Sequence, residues 1–181
     1  MDAVLACSAE SRGVDAFALS VIKAERQIRK LFTHLVFQAP AFDSADIQNL
    51  RKVLADNRDV YFEGFIAGWD NLYPCPMSDL VGQEYQRLLA LLREATRHRS
   101  KIFHGQLTNS SLERKDLLVY VKEIRDWCCK LAGGALKEVG YDGFGRNSFH
   151  KSTVIDLGAR HRVVFTSVAD YKSFIHSHME R

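Results

Sequence analysis

The sequence predicts a mainly α-helical domain that ends in a small β-hairpin and one short helix. Three observations carry that prediction. Between residues 15 and 139, apolar side chains recur at intervals of three and four, the period of one helix face. Helix-ending signals punctuate those stretches: Pro40, Pro74-Cys75-Pro76 and Gly105. Past Gly140 the pattern changes, and Thr153-Val154-Ile155-Asp156-Leu157 and Arg162-Val163-Val164-Phe165-Thr166 read as two strands with Gly158-Ala159-Arg160-His161 as the turn.

Residues 1–14 read as a flexible lead-in, with Gly13 among small polar residues. A long helix is expected over Asp15 to Gln38. Its apolar positions Phe17, Val21, Ile28, Leu31, Phe32 and Leu35 share a face, and Glu25, Arg26, Arg29 and Lys30 occupy the other. Ser44 is the expected cap of a second stretch carrying Ile47, Leu50, Val53 and Leu54, because its hydroxyl can accept an orphan backbone N–H. Asp59 to Leu72 is rich in aromatic residues. Gly64 and Gly68 stand one turn apart in it, which lets another backbone come close.

A third helix is expected from Asp79 or Gly82 to His104, closed by a left-handed Gly105. Ser110 and Glu113 have capping-box spacing for a fourth, running to Val139 with Gly133-Gly134 as a weak point near its end. Ser167 caps a last helix from Val168 to His178. The bundle proper is therefore expected over 15–139. Residues 140–181 form an extension packed on the same domain.

The 181 residues are 46% apolar and 26% charged, which suits a folded domain with a real core. The net charge of +3 permits a nucleic-acid partner without demanding one. No apolar run is long enough to cross a bilayer, and the N-terminal residues do not read as a signal peptide, so no membrane partner and a cytoplasmic location are expected. Cys7, Cys75, Cys128 and Cys129 lack zinc-ligand spacing and read as reduced thiols. No metal and no cofactor are expected.

Positive charge concentrates near the end of the third helix, in Arg87, Arg93, Arg97, His98, Arg99, Lys101 and His104, with Glu94 the only acid among them. Such a run is either a solvated face or an anion site. Ile102 and Phe103 anchor it to the core, so its side chains project from a rigid element. His104 falls in the last helical turn, where the dipole favours imidazolium and the neighbouring cations oppose it, a balance suited to proton transfer. Arg99 and His104 lie about 140° apart around the helix and about 7.5 Å along it. Their tips can converge on one phosphate, or each can face a second copy of the chain.

The segment Arg99-Ser100-Lys101-Ile102-Phe103-His104-Gly105-Gln106 resembles the signature of the HEPN superfamily, an Arg followed after four residues by a His, late in a central helix with another long helix after it. The resemblance covers roughly residues 15 to 139 and not the extension. It implies an up-and-down bundle of four to five helices and a metal-independent endoribonuclease of toxin or phage-defence type. Two motifs would face each other across a homodimer. Arg99 would hold the scissile phosphate, and His104 would act as general base or acid while the ribose 2′-hydroxyl attacks. Ser100, Lys101, Arg97 and Gln106 would contact the RNA. Ser100 stands where the family more often has Asn, Asp or His, and Gln106 stands where some members of toxin–antitoxin pairs carry a modified Tyr. Candidate protein partners are an antitoxin or a nucleotidyltransferase, and the alternative is a non-catalytic member that binds a nucleotide or RNA or pairs with a nucleotidyltransferase.

Other candidates are weaker. Arg146-Asn147-Ser148-Phe149-His150 repeats an Arg and a His one residue too close for the motif. His176 and His178 diverge on a helix and do not form a metal pair. The aromatic stretch Tyr61 to Trp69 reads as core, although its rings are able to stack bases. His34 reads as a surface or boundary histidine.

Overall fold

The computed structural model describes residues 12–57, 59–104, 112–153 and 156–180. Among these the chain is mainly helical: α1 (Arg12–Phe37), α2 (Ile47–Asp56), α3 (Phe62–Leu72), α4 (Met77–Val81), α5 (Tyr85–Phe103), α6 (Arg114–Val139) and α7 (Val168–His178). Helix α1 is the axis of the fold. Its stripe Phe17, Val21, Ala24, Ile28, Leu31 and Leu35 alternates steps of four and three and packs chiefly on α6. The facing stripe of α6 is Leu117, Val121, Ile124, Cys128, Leu131 and Ala135. Helices α3 and α5 cover further sides of α1, and every residue from Leu31 to Ala39 is buried.

Local signals explain most boundaries. Ser167 caps α7, accepting from the Asp170 N–H, while Asp170 accepts from Ser167 N–H in return. Helix α1 already includes Arg12, ahead of the expected Asp15, and residues 1–11 of the expected lead-in lie outside the described residues. Ser44 does not cap α2: Asp46 occupies that position, and Asp43 holds the preceding turn by accepting from the Ala45 N–H at 2.7 Å. Ser110 and Gly105 lie outside the described residues, and the capping box of α6 is made by Glu113 and Asp116. The expected third helix is two. Gly82, at φ 83°, separates the single-turn α4 from α5.

The glycine pair of α3 receives the close approach its spacing suggests. A β-carbon on Gly64 would stand 2.2 Å from the Met179 carbonyl oxygen, and one on Gly68 would meet the Met179 side chain. The α3–α7 contact depends on that absence of bulk. Helix α6 continues through Gly133-Gly134 to Val139, and Gly134 admits α4, since a β-carbon there would lie 2.1 Å from the Leu80 carbonyl oxygen.

The predicted hairpin is not seen among the described residues, which contain no strand. Val154 and Ile155 lie outside them. Gly158–Arg160 forms a turn of 3-10 helix instead of a β-turn. The backbone of this region finds non-strand partners. Arg162 N–H donates to the Leu72 carbonyl at 2.9 Å, and Ser152 N–H donates to Gln38 Oε1 at 2.8 Å. Leu157 and Phe165 are buried individually while Val164 is 78% exposed. Burying Phe165 against Phe42 and Phe174 is worth about 2–3 kcal/mol, more than a two-stranded ribbon supplies alone.

Residues 142–152 run along α1 in the same direction as the helix, secured by side chains about one turn apart. Gln27 Nε2 donates to the Asp142 carbonyl at 3.0 Å, and Lys30 Nζ donates to those of Phe144 and Arg146. His34 Nδ1 meets the Ser148 carbonyl at 3.1 Å, and Gln38 Nε2 donates to that of His150 at 3.0 Å. His34 is therefore fully buried, not at the surface, with the Tyr141 ring 4.7 Å away. Burial pushes its imidazole below the ordinary range, against the Ser148 carbonyl contact that favours protonation.

Candidate nucleic-acid interface

Polar faces of α1 and α5 are left over once their apolar stripes are buried, and the packing brings them to one side. They line a groove of about 980 Å³ together with the start of α3. Six cations line it, Arg26, Arg29, Lys30, Arg93, Arg97 and Arg99, against two acids, Glu25 and Glu63. An excess of positive charge in a concave site focuses potential toward anions.

Each of the two acids meets a groove cation. Arg93 Nε sits 2.7 Å from Glu63 Oε1, and Arg99 Nη1 sits 3.3 Å from Glu25 Oε1. Burial raises the Glu25 carboxyl above its ordinary range, outweighing the opposing pull of Arg99 and Arg29. Arg29 lies over the Phe65 ring at 5.3 Å, and Arg99 over the Phe103 ring at 5.6 Å, contacts that restrict both guanidinium groups. Lys30 is turned toward the carbonyls of Phe144 and Arg146. Arg26 and Arg97 are exposed and make no ion pair among the described residues. Arg99 Nε is buried without a hydrogen-bond partner there.

Of the predicted site residues, Arg97, Arg99 and Ser100 line the groove. Lys101 is half-buried on α5 and does not line it, and Gln106 lies outside the described residues. His104 does not line it either. It is the exposed C-cap of α5, its backbone N–H donating to the Ser100 carbonyl at 3.1 Å, next to Phe103, which is 62% exposed. Within one chain, Arg99 and His104 thus face different surroundings. His98, read only as part of the basic run, turns inward, 3.5 Å from Glu94 and 5.7 Å from the Tyr120 ring centre. The Tyr120 hydroxyl is pushed up to about 12 by burial and by its hydrogen bond to Glu94.

Glu25, Arg26, Arg29 and Tyr61 are groove residues that the sequence reading left on an unassigned face or in the core. The Ile22, Glu25/Arg26, Arg29 spacing marks a second continuous face of α1. That is the signal that could have found them, but it does not name the opposing helix. Arg146 is not part of the groove; it packs on the Tyr141 ring at 5.6 Å and donates to the Gly140 carbonyl. No three His, Cys, Asp or Glu side chains among the described residues converge as a metal-ligand set. No described helix is long and apolar enough to cross a membrane. No protein-family model, curated protein or solved structure matches the chain.

Proposed function

We propose that this chain is a metal-independent endoribonuclease with a HEPN-type bundle, whose Arg99–His104 site is completed across a homodimer. The observation that carries the reading is the basic groove holding Arg99. Its excess of cations fits a phosphodiester backbone, and two of its arginines, Arg29 and Arg99, already lie over aromatic rings. Arg99 binds the non-bridging oxygens of the scissile phosphate. His104 of the facing copy takes the 2′-hydroxyl proton as that oxygen attacks phosphorus. The 5′-oxygen leaves and receives a proton, which gives a 2′,3′-cyclic phosphate and a 5′-hydroxyl end. The exposed end of α5, with His104 beside the exposed Phe103 ring, suits contact with a second copy.

A second reading, RNA binding without cleavage, is favoured by the position of His104 away from the groove and by the Glu25 partner of Arg99. Purified protein incubated with RNA in excess chelator separates the two. Cleavage that drops by about 10²–10⁴-fold in His104→Ala, and is likewise lost in Arg99→Ala, supports the enzyme. Salt-dependent binding that leaves the RNA intact supports the module. Cleavage unchanged in both variants removes Arg99 and His104 from the chemistry.

A further inference from the structure

We infer that Tyr61 is a nucleobase-stacking platform on the rim of the basic groove, so that the groove takes an RNA strand with at least one unpaired base. This rests on the groove being an RNA site. Tyr61 lines the groove yet is 57% exposed, the only Tyr among the described residues that is exposed rather than buried or half-buried. It is the N-cap residue of α3, with extended backbone (φ −96°, ψ −178°), so the start of a rigid helix sets its place. No other aromatic ring contacts it among the described residues, whereas Phe62 and Phe65, which follow it on α3, pack against Trp127 and Phe32. Tyr61 shares the groove with Arg26, Arg29, Arg97 and Arg99.

Phosphate-binding cations next to a free aromatic face are the two components of single-strand recognition. The cations follow the backbone, and the ring receives a base of any identity. A base within a duplex is already stacked on both faces and gains nothing from the ring. The apolar Ile22, also partly exposed in the groove, extends the surface on which a base can lie. The α1–α5 groove is thereby divided into a phosphate track and a base seat.

The test compares binding of oligouridylate, oligoadenylate and a fully paired RNA duplex to the wild-type chain and to Tyr61→Ala, Tyr61→Leu and Tyr61→Phe, at matched salt. Stacking predicts about a tenfold loss of affinity for both single strands in Tyr61→Ala. It also predicts a comparable loss in Tyr61→Leu, affinity kept in Tyr61→Phe, and duplex binding unchanged throughout. Equal losses on single strands and duplex, or full affinity in Tyr61→Leu, overturn the base seat and leave the groove reading standing. A shift in self-association of Tyr61→Ala with RNA binding intact assigns the ring to a protein contact and overturns it too. Wild-type protein that binds no RNA at low salt sinks the groove reading and this inference together.

Discussion

Gly133 and Gly134 are neighbours in α6, and replacing each with Ala is expected to change stability in opposite directions. A β-carbon on Gly133 meets nothing within 4 Å, whereas one on Gly134 would stand 2.1 Å from the Leu80 oxygen and 2.8 Å from its carbonyl carbon and Cα. Ordinary contact between carbon atoms is about 3.5–4 Å, so α4 has to retreat by roughly an ångström or more. That retreat loosens the buried Met77, Leu80 and Val81. Overpacking of this kind costs about 1–3 kcal/mol, here toward the upper end because the obstacle is backbone. The helix propensity gained from Gly to Ala is about 1 kcal/mol at both sites. Gly133→Ala should therefore stabilise by about 1 kcal/mol and Gly134→Ala should destabilise by about 2 kcal/mol. For a domain of this size the melting temperature rises by about 2–4 °C in the first and falls by about 4–8 °C in the second. Calorimetry reads the shifts, and urea unfolding with an unchanged m-value confirms that stability rather than compactness has moved. Melting shifts of the same sign in the two variants would refute the claim that the bare Cα of Gly134 positions α4 on α6.

Three further outcomes are expected. Arg97→Ala, removing an exposed groove cation, should weaken RNA binding evenly across sequences and lower the salt-dependence slope by about 1, read from affinities at several salt concentrations; an unchanged slope places Arg97 outside the phosphate track. Burial pushes His161 down to about 4, the Leu35 carbonyl opposing. Because the folded state refuses a proton that the unfolded chain accepts, stability falls as pH drops from about 6.5 to about 4 and is level below that, a loss of up to about 3 kcal/mol. His161→Gln should flatten that limb of the melting-temperature profile, and a limb of unchanged steepness would show that other groups drive it. Gln38→Leu removes the side-chain bonds to the His150 carbonyl and the Ser152 N–H, at about 1–3 kcal/mol, and should speed amide exchange over 142–152 before it affects α6.

What was readable in the residues, and what was not, divides by the range of the interaction. The α1 stripe from Phe17 to Leu35, the α6 stripe from Leu117 to Ala135 and the Ser167–Asp170 box rest on contacts within one or two turns, and spacing alone reveals them. His34 defeats such a reading. A polar residue on a long helix looks exposed until a segment more than a hundred residues later covers it, and only then do Ser148 and Tyr141 supply its surroundings. The false hairpin has the same origin. Val163, Val164 and Phe165 have strand propensity, but the Arg162 N–H donates to the Leu72 carbonyl of α3, and Phe165 is buried against Phe42 and Phe174.

The candidate site is divided in the same way. Sequence alone determined that α5 ends in a dense basic run containing Arg99 and His104, because charge and helical period are properties of consecutive residues. Only the tertiary structure decided that Arg99 joins Glu25, Arg26 and Arg29 of α1 while His104 stands apart on the exposed helix end. The reason is geometric. The faces α1 and α5 turn toward each other follow from how each buries its apolar stripe among all its neighbours, a many-body outcome that no local spacing encodes.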